Sequence, residues 1–335
     1  MKKIAMLCGF ALSAFAGMGT AAAVEMKYAA AAAETTPWVA EMKDQAQRIE
    51  ENSGGAIKVQ VFTGGALGDE VKLVQSLRRG RLQAAYVSTV PLASIVPEIG
   101  VMEAPFLWES NEERDFVMDN YLFDIYSELA EDKGLKLLAW SELGSTSLSG
   151  DRVIVKPEDV KGMRLRIPEA KSSVHYINYL GATPTTIPVL ETASALQTGL
   201  VDGVFTTTIA NFFFDFYKNV SHISMTEGTY YATMHLVSKK WFDGLSEEQQ
   251  AAVLKDAQRT TVPGRTRLRA VTQGLAKKIE EAGVTVTYLT PEQRNVWRDH
   301  FKASNDELLD LLGGKSREVF ETILKAKAEF KSSKS

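Results

Sequence analysis

Cysteine is nearly absent from this sequence: Cys8 is the only one among 335 residues. It sits in a leader-like segment, with Lys2 and Lys3 followed by the apolar stretch Ile4 to Phe15 and the small residues Ala21-Ala22-Ala23. That order is the pattern of a secretory signal peptide, cleaved after Ala23. Too little apolar sequence precedes Cys8 for a lipid-attachment site. A mature chain starting at Val24 would contain no disulfide, no thiolate metal site and no cysteine nucleophile. Long hydrophobic runs are also lacking. The leader stretch is shorter than the roughly 20 apolar residues of a membrane span, and no later segment reaches that length. A soluble periplasmic protein is the expectation.

Basic runs are missing too. The formal net charge is −4, more negative still without Lys2 and Lys3, which argues against a nucleic-acid partner. The four histidines, His175, His222, His235 and His300, share no ligand spacing, so no metal site is expected. There is no nucleophile elbow, P-loop or dinucleotide fingerprint, and no cofactor is expected. Gly64-Gly65-Ala66-Leu67-Gly68 lacks the lysine of a P-loop and reads as a turn before a helix. A triad assembled only in space leaves no local trace, so a secreted hydrolase or isomerase stays open as an alternative.

What is present is an alternation of strands and helices. Val24 to Tyr28 reads as a strand, and Trp38, Met42, Ala46 and Ile49 recur at helical spacing. Ile57, Val59 and Val61 alternate as a strand. Leu67–Leu77 and Asn111–Leu129 read as helices, Leu82–Val87 as a strand and Leu135–Trp140 as a strand of the buried type. Such alternation predicts a mostly parallel sheet covered on both faces. A weak repeat joins the two halves. Leu77-Arg78-Arg79-Gly80-Arg81-Leu82 resembles Leu196-Gln197-Thr198-Gly199-Leu200-Val201, each a helix that stops at glycine and runs into a strand. Each follows an earlier strand, Ile57–Phe62 or Thr183–Thr186, which suggests two similar lobes. Further on, Ser246 with Gln249 and Thr290-Pro291 mark helix starts, with a bend expected near Pro263-Gly264. Val284–Tyr288 reads as a strand, and the charged, serine-rich tail from Glu329 as a frayed end.

Between Pro157 and Pro168, Met163, Leu165 and Ile167 fall on one strand face and Arg164 and Arg166 on the other. Arg166 stands at the strand's end, where α/β sheets bind ligands, and a guanidinium there can hold a carboxylate through two parallel hydrogen bonds. The local pattern fits a solvated surface pair equally well.

The chain resembles the DctP-type binding proteins of TRAP (tripartite ATP-independent periplasmic) transporters from about residue 25 to residue 325. The motifs are Phe62-Thr63-Gly64-Gly65-Ala66-Leu67-Gly68 with Gln75 to Gly80, Pro97-Glu98 with Ala104-Pro105-Phe106-Leu107, Pro157 to Pro168, and Glu191 through Gly203. The resemblance implies an α/β fold of two doubly wound lobes joined by crossing strands, with a long C-terminal helical region. It implies lobe I over residues 24–143 and 232–271, lobe II over 144–231 and 272–335, and crossings near Gly144 and Tyr231. It also implies a non-enzymatic clamp that closes on an organic acid for TRAP-type membrane subunits. A sensory protein presenting ligand to a membrane receptor is the alternative.

Arg166 matches the family's carboxylate-binding arginine. Two departures stand out. Thr146 occupies the place of a second arginine found in many members, and Thr206 that of an asparagine. Losing those strong polar groups favours a monocarboxylate over a C4-dicarboxylate. Ser88 is an expected hydroxyl donor, and Trp38, Phe205, Phe213 and Tyr230 are expected to shape an apolar pocket. The run Phe212 to Tyr217 reads first as a helix face packed in the core.

Overall fold

The computed structural model describes residues 23–334; the predicted leader lies almost wholly outside the described residues. The first part runs β1 (Val24–Ala30), α1 (Pro37–Asn52), β2 (Ile57–Phe62), α2 (Glu70–Arg78), β3 (Ala84–Ser88) and α3 (Thr89–Ala93). A 3₁₀ turn, Pro97–Glu103, leads to α4 (Asn111–Val117), a π-helical segment at Met118–Leu122 and α5 (Phe123–Glu131). The long β4 (Leu135–Gly150) then enters β5 (Arg164–Ile167), α6 (Lys171–Tyr179), β6 (Thr183–Thr186), α7 (Thr192–Gln197), β7 (Gly203–Thr207) and α8 (Thr208–Phe213). β8 (His222–Met225) and β9 (Tyr230–Ser238) follow, then α9 (Lys239–Phe242), α10 (Glu247–Leu254) and α11 (Thr261–Glu281). The chain closes with β10 (Thr285–Tyr288), α12 (Pro291–His300), α13 (Ser304–Leu312) and α14 (Ser316–Lys334).

The strand order is β2-β1-β3-β9-β4-β7-β5-β6. Its ends are two equivalent parallel triplets, β2-β1-β3 and β6-β5-β7. In both, the helix before the third strand ends at a glycine in the left-handed region, Gly80 at φ +70° and Gly199 at φ +67°. Side chains with a Cβ are strained in that conformation. The weak sequence repeat is therefore a repeat of βαβ geometry. The middle of the sheet is antiparallel, not parallel as alternation alone predicts. β4 pairs antiparallel with β9 on its first half and with β7 and β8 on its second. Gly144 and Tyr231 are partners in that register, so both expected crossings lie side by side, next to a bulge.

Each lobe buries apolar side chains on both sheet faces. In β3, Ala85 and Val87 join one cluster with Leu73, Leu77 and Trp140, whereas Ala84 and Tyr86 join another with Met42, Ile49 and Val237. A period of two between two apolar layers explains why such strands read as continuous hydrophobic runs. The second lobe has its own core around Leu148, Leu165, Tyr176, Phe205 and Trp297.

Several boundaries differ from expectation. α2 starts at Glu70, not Leu67, because Asp69 caps it by accepting the Lys72 N–H. The helical break falls before α11, at Lys255 and Asp256 (φ +57°), and Pro263-Gly264 lies inside the helix near its start, where proline is tolerated. The tail stays helical to Lys334. The expected grouping of residues 272–335 with lobe II does not fit its last two helices. α13 packs on both α6 and the Pro97–Glu103 turn, and α14 packs on that turn, α4 and the π-helical segment of the first lobe. The chain end is thus a strap across the lobes, anchored by Val319 and Ile323 in the first lobe's core.

Candidate functional site

A cavity of about 350 Å³ opens between the lobes. The ends of β1 and β3 and the starts of α1 and α2 form one wall; the ends of β5, β6 and β7 form the other. The crossing strands supply the floor through Leu143, Tyr231 and Thr233. Ligands of open α/β sheets bind at such carboxyl ends of strands.

Arg166 projects into this cavity from the end of β5 and is 2% exposed. The pleat that buries Leu165 and Ile167 turns Arg166 to the opposite face; Arg164 instead stays in solvent and pairs with Asp202. The Arg166 Nε–H donates to the Ile187 carbonyl at 2.9 Å, which fixes the plane of the guanidinium. Among the described residues no carboxylate lies within ion-pair distance of it. Burial lowers its pKa to about 10, while Tyr231 and Glu70 act the other way, so it stays protonated at neutral pH. The terminal nitrogens therefore present unspent charge-assisted donors.

Glu70 faces the same cavity. Its carboxylate accepts the Ser88 N–H at 2.7 Å and the Ser88 hydroxyl at 2.6 Å. Loss of hydration raises its pKa against those two bonds and the nearby Arg166 charge. Ser88 thus lines the cavity, but its one hydroxyl proton is given to Glu70. Trp38 also lines it, with a buried indole N–H that has no hydrogen-bond partner among the described residues. Thr206 lies at the end of β7 on the cavity side.

Four other expected site residues do not line the cavity. Phe205 is one position out of phase with Thr206; its ring stacks on Tyr176 at 4.7 Å in the second lobe's core. Tyr230 likewise points away from its neighbour Tyr231 and lies 3.7 Å beneath the Arg114 guanidinium. Phe213 packs behind Trp38 at 6.0 Å, and the next ring, Phe214, reaches the cavity. Thr146 is buried between strands, where its hydroxyl oxygen accepts the Thr229 N–H at 3.2 Å. Glu70, Tyr231 and Phe214 are the site residues that sequence reasoning missed. A signal for Glu70 exists in Gly68-Asp69-Glu70, a turn, a cap and an acid at the end of a strand connection.

Asp69, Lys72, Gln75 and Glu169 add polar groups to the cavity lining, the rest of which is mostly apolar, and no histidine or cysteine lines it. No group of three or more His, Cys, Asp or Glu side chains is placed to hold a metal among the described residues, and no helix among them is long and apolar enough to cross a membrane. Two lobes, connecting strands and one buried guanidinium with no carboxylate partner among the described residues form a cleft that can accept a small anion.

Comparison with known proteins places that clamp. The family model of the bacterial extracellular solute-binding proteins, family 7 (DctP), matches residues 28–310, and the chain belongs to this family. A solute-binding protein of Verminephrobacter eiseniae is 30% identical over 226 residues, 67% of each chain. The C4-dicarboxylate-binding periplasmic protein DctP of Vibrio cholerae is 28% identical over 258 residues, 76% of this chain and 77% of that one. The crystal structure of the sugar acid binding protein DctPAm of Advenella mimigardefordensis, in complex with galactonate, superposes with a TM-score of 0.86 at 27% identity, covering 92% of this chain and 98% of that one. The two doubly wound lobes and the helical C-terminal region are those of TRAP periplasmic solute-binding proteins.

Proposed function

We propose that this protein captures a hydroxylated monocarboxylate in the periplasm, without chemical turnover, and hands it to TRAP-type membrane subunits. The observation that carries this reading is Arg166, a fully buried guanidinium with no carboxylate of its own, at the centre of an interlobe cavity. A ligand carboxylate supplies the missing counter-charge through two parallel bonds. The only other cation in the lining, Lys72, is largely exposed and pairs with Asp69 at 3.4 Å. Glu70 and Glu169 line the cavity as well, so a second ligand carboxylate would meet like charge. Glu70 instead favours a ligand hydroxyl, which can donate to it, and Trp38 and Phe214 suit an apolar edge. The relatives are named for different acids, a sugar acid in one and C4-dicarboxylates in another, so family membership leaves the ligand class open.

The test is thermal-shift screening of wild type and Arg166→Ala against organic acids. Hydroxylated monocarboxylates should raise the melting temperature of wild type alone, by mass action on the native state. A response only to dicarboxylates, or an equal response in the variant, would overturn this reading.

A further inference from the structure

Glu103 closes the 3₁₀ turn of the first lobe and is 2% exposed. Its two carboxylate oxygens accept from different lobes: Oε1 from the Thr89 hydroxyl at 3.2 Å, and Oε2 from the hydroxyl of Ser172, on α6 of the second lobe. The next residue of α6, Ser173, bonds the Tyr231 hydroxyl at 2.8 Å, and Tyr231 lines the cavity beside Arg166. The buried acid therefore sits where the lobes meet, two hydroxyl contacts from the ligand space.

No cation offsets it. The titratable groups that face it are the phenols of Tyr126 on α5 and Tyr231 on β9, both held protonated more firmly by its charge as well as by burial. From α6, Lys171 turns to the Leu311 carbonyl at 3.2 Å and His175 to the Ser304 carbonyl at 3.0 Å. From α13 and α14, Asp306 and Asp310 pair with Arg317 at 3.1 and 2.6 Å, and Glu98 of the same turn accepts the Lys315 N–H at 3.0 Å. α3 offers only the Thr89 hydroxyl.

We propose that Glu103 is a proton-linked latch between the lobes, whose protonation favours the closed clamp. The idea rests on the clamp reading above. With the lobes together, burial raises the acid's pKa to about 7, against its two hydroxyl bonds. Opening removes Ser172 and readmits water, which returns the acid toward the ordinary carboxylate range. Closure then takes up a proton between that range and about pH 7. The added preference for the closed state is complete below the open-state pKa and fades as pH rises through the closed-state one, by up to about tenfold in the closed-to-open ratio per pH unit. Protonated, the acid still satisfies both neighbours, because either hydroxyl can reverse its role. Glu103→Gln reproduces that neutral form, its amide donating to one hydroxyl and accepting from the other.

The experiment needs no ligand. Spin labels on the exposed positions K58C and K161C, one per lobe, in a C8S background, report interlobe distances by double electron–electron resonance. The closed-to-open ratio of unliganded protein should rise about tenfold or more between about pH 8 and about pH 5.5. E103Q should be as closed at the higher pH as at the lower. An equal pH response in both proteins, or none in wild type, overturns the latch. Failure of every organic acid to bind would sink the proposed function instead, and this readout would still decide the latch.

Discussion

Arg166 and Arg265 are equally buried, each 2% exposed, yet the protein treats them in opposite ways. Arg265, on α11, donates twice to Asp119 at 2.8 Å. Its neighbour Arg269 holds Asp115 with two bonds of 2.8 Å and also reaches Glu142, which Arg114 contacts at 3.0 Å. This network ties α11 to α4, the π-helical segment and β4 just before the crossing at Gly144. Arg166 has one carbonyl and a more distant acid. Removing a guanidinium from water costs several kcal/mol unless charges and hydrogen bonds replace the lost hydration. Where the chain supplies the carboxylates the arginine is architecture; where it does not, the arginine is free to serve as the proposed ligand site.

The comparison breaks first by substitution. Arg265→Ala strands Asp119 in a partly buried site and should destabilise the fold by about 3–5 kcal/mol, read by chemical denaturation. Arg166→Ala should leave stability unchanged or raise it, since it removes an uncompensated buried charge. It should weaken binding of a stabilising acid by about 2–5 kcal/mol, read by calorimetry. If both variants lose stability alike, the distinction between architecture and site fails.

A smaller effect separates buried acids. Glu41, on the buried face of α1 and 2% exposed, has its pKa raised to about 7 by burial, although Tyr86 donates to it at 2.9 Å. A carboxyl raised in the folded state adds stability that is complete below its unfolded pKa and lost as pH climbs through about 7. Wild type should therefore unfold at lower denaturant at pH 8 than at pH 6, and Glu41→Gln should reduce that difference, with Glu103 supplying the remainder. The smallest effects belong to the hydroxyls. Thr146→Ala should cost about 1 kcal/mol of stability by leaving the Thr229 N–H without its acceptor, with ligand affinity unchanged. Ser88→Ala, which acts only through Glu70, should change affinity by less than about 1.5 kcal/mol. A large loss of affinity in Thr146→Ala would restore that residue to the site.

Much of the fold was legible because it is local. The four spaced apolar residues of α1, the helix starts at Ser246 and Thr290 and the paired Gly80 and Gly199 turns all appear where the pattern puts them. The antiparallel centre was not legible, because β9 was not read as a strand beyond a crossing near Tyr231, and nothing in a buried apolar run such as β4 encodes its partner's direction. The strap of α13 and α14 was missed for a related reason. An amphipathic helix declares that it has a buried face but not which lobe covers it.

The sequence by itself determined that Arg166 lies on the opposite face of its strand from Met163, Leu165 and Ile167, since a strand alternates with period two. It could not say which face met the cavity and which met the core. That choice fell to the sheet's packing, which put Thr206, Tyr231 and Phe214 at the cavity and turned Phe205, Tyr230 and Phe213 away. Nor could it say which polar groups are free. A hydroxyl is a ligand donor only if no neighbour has taken its proton, and Glu70, eighteen residues from Ser88, takes this one. Residue identity fixes what a side chain can donate, and only the tertiary structure decides to whom.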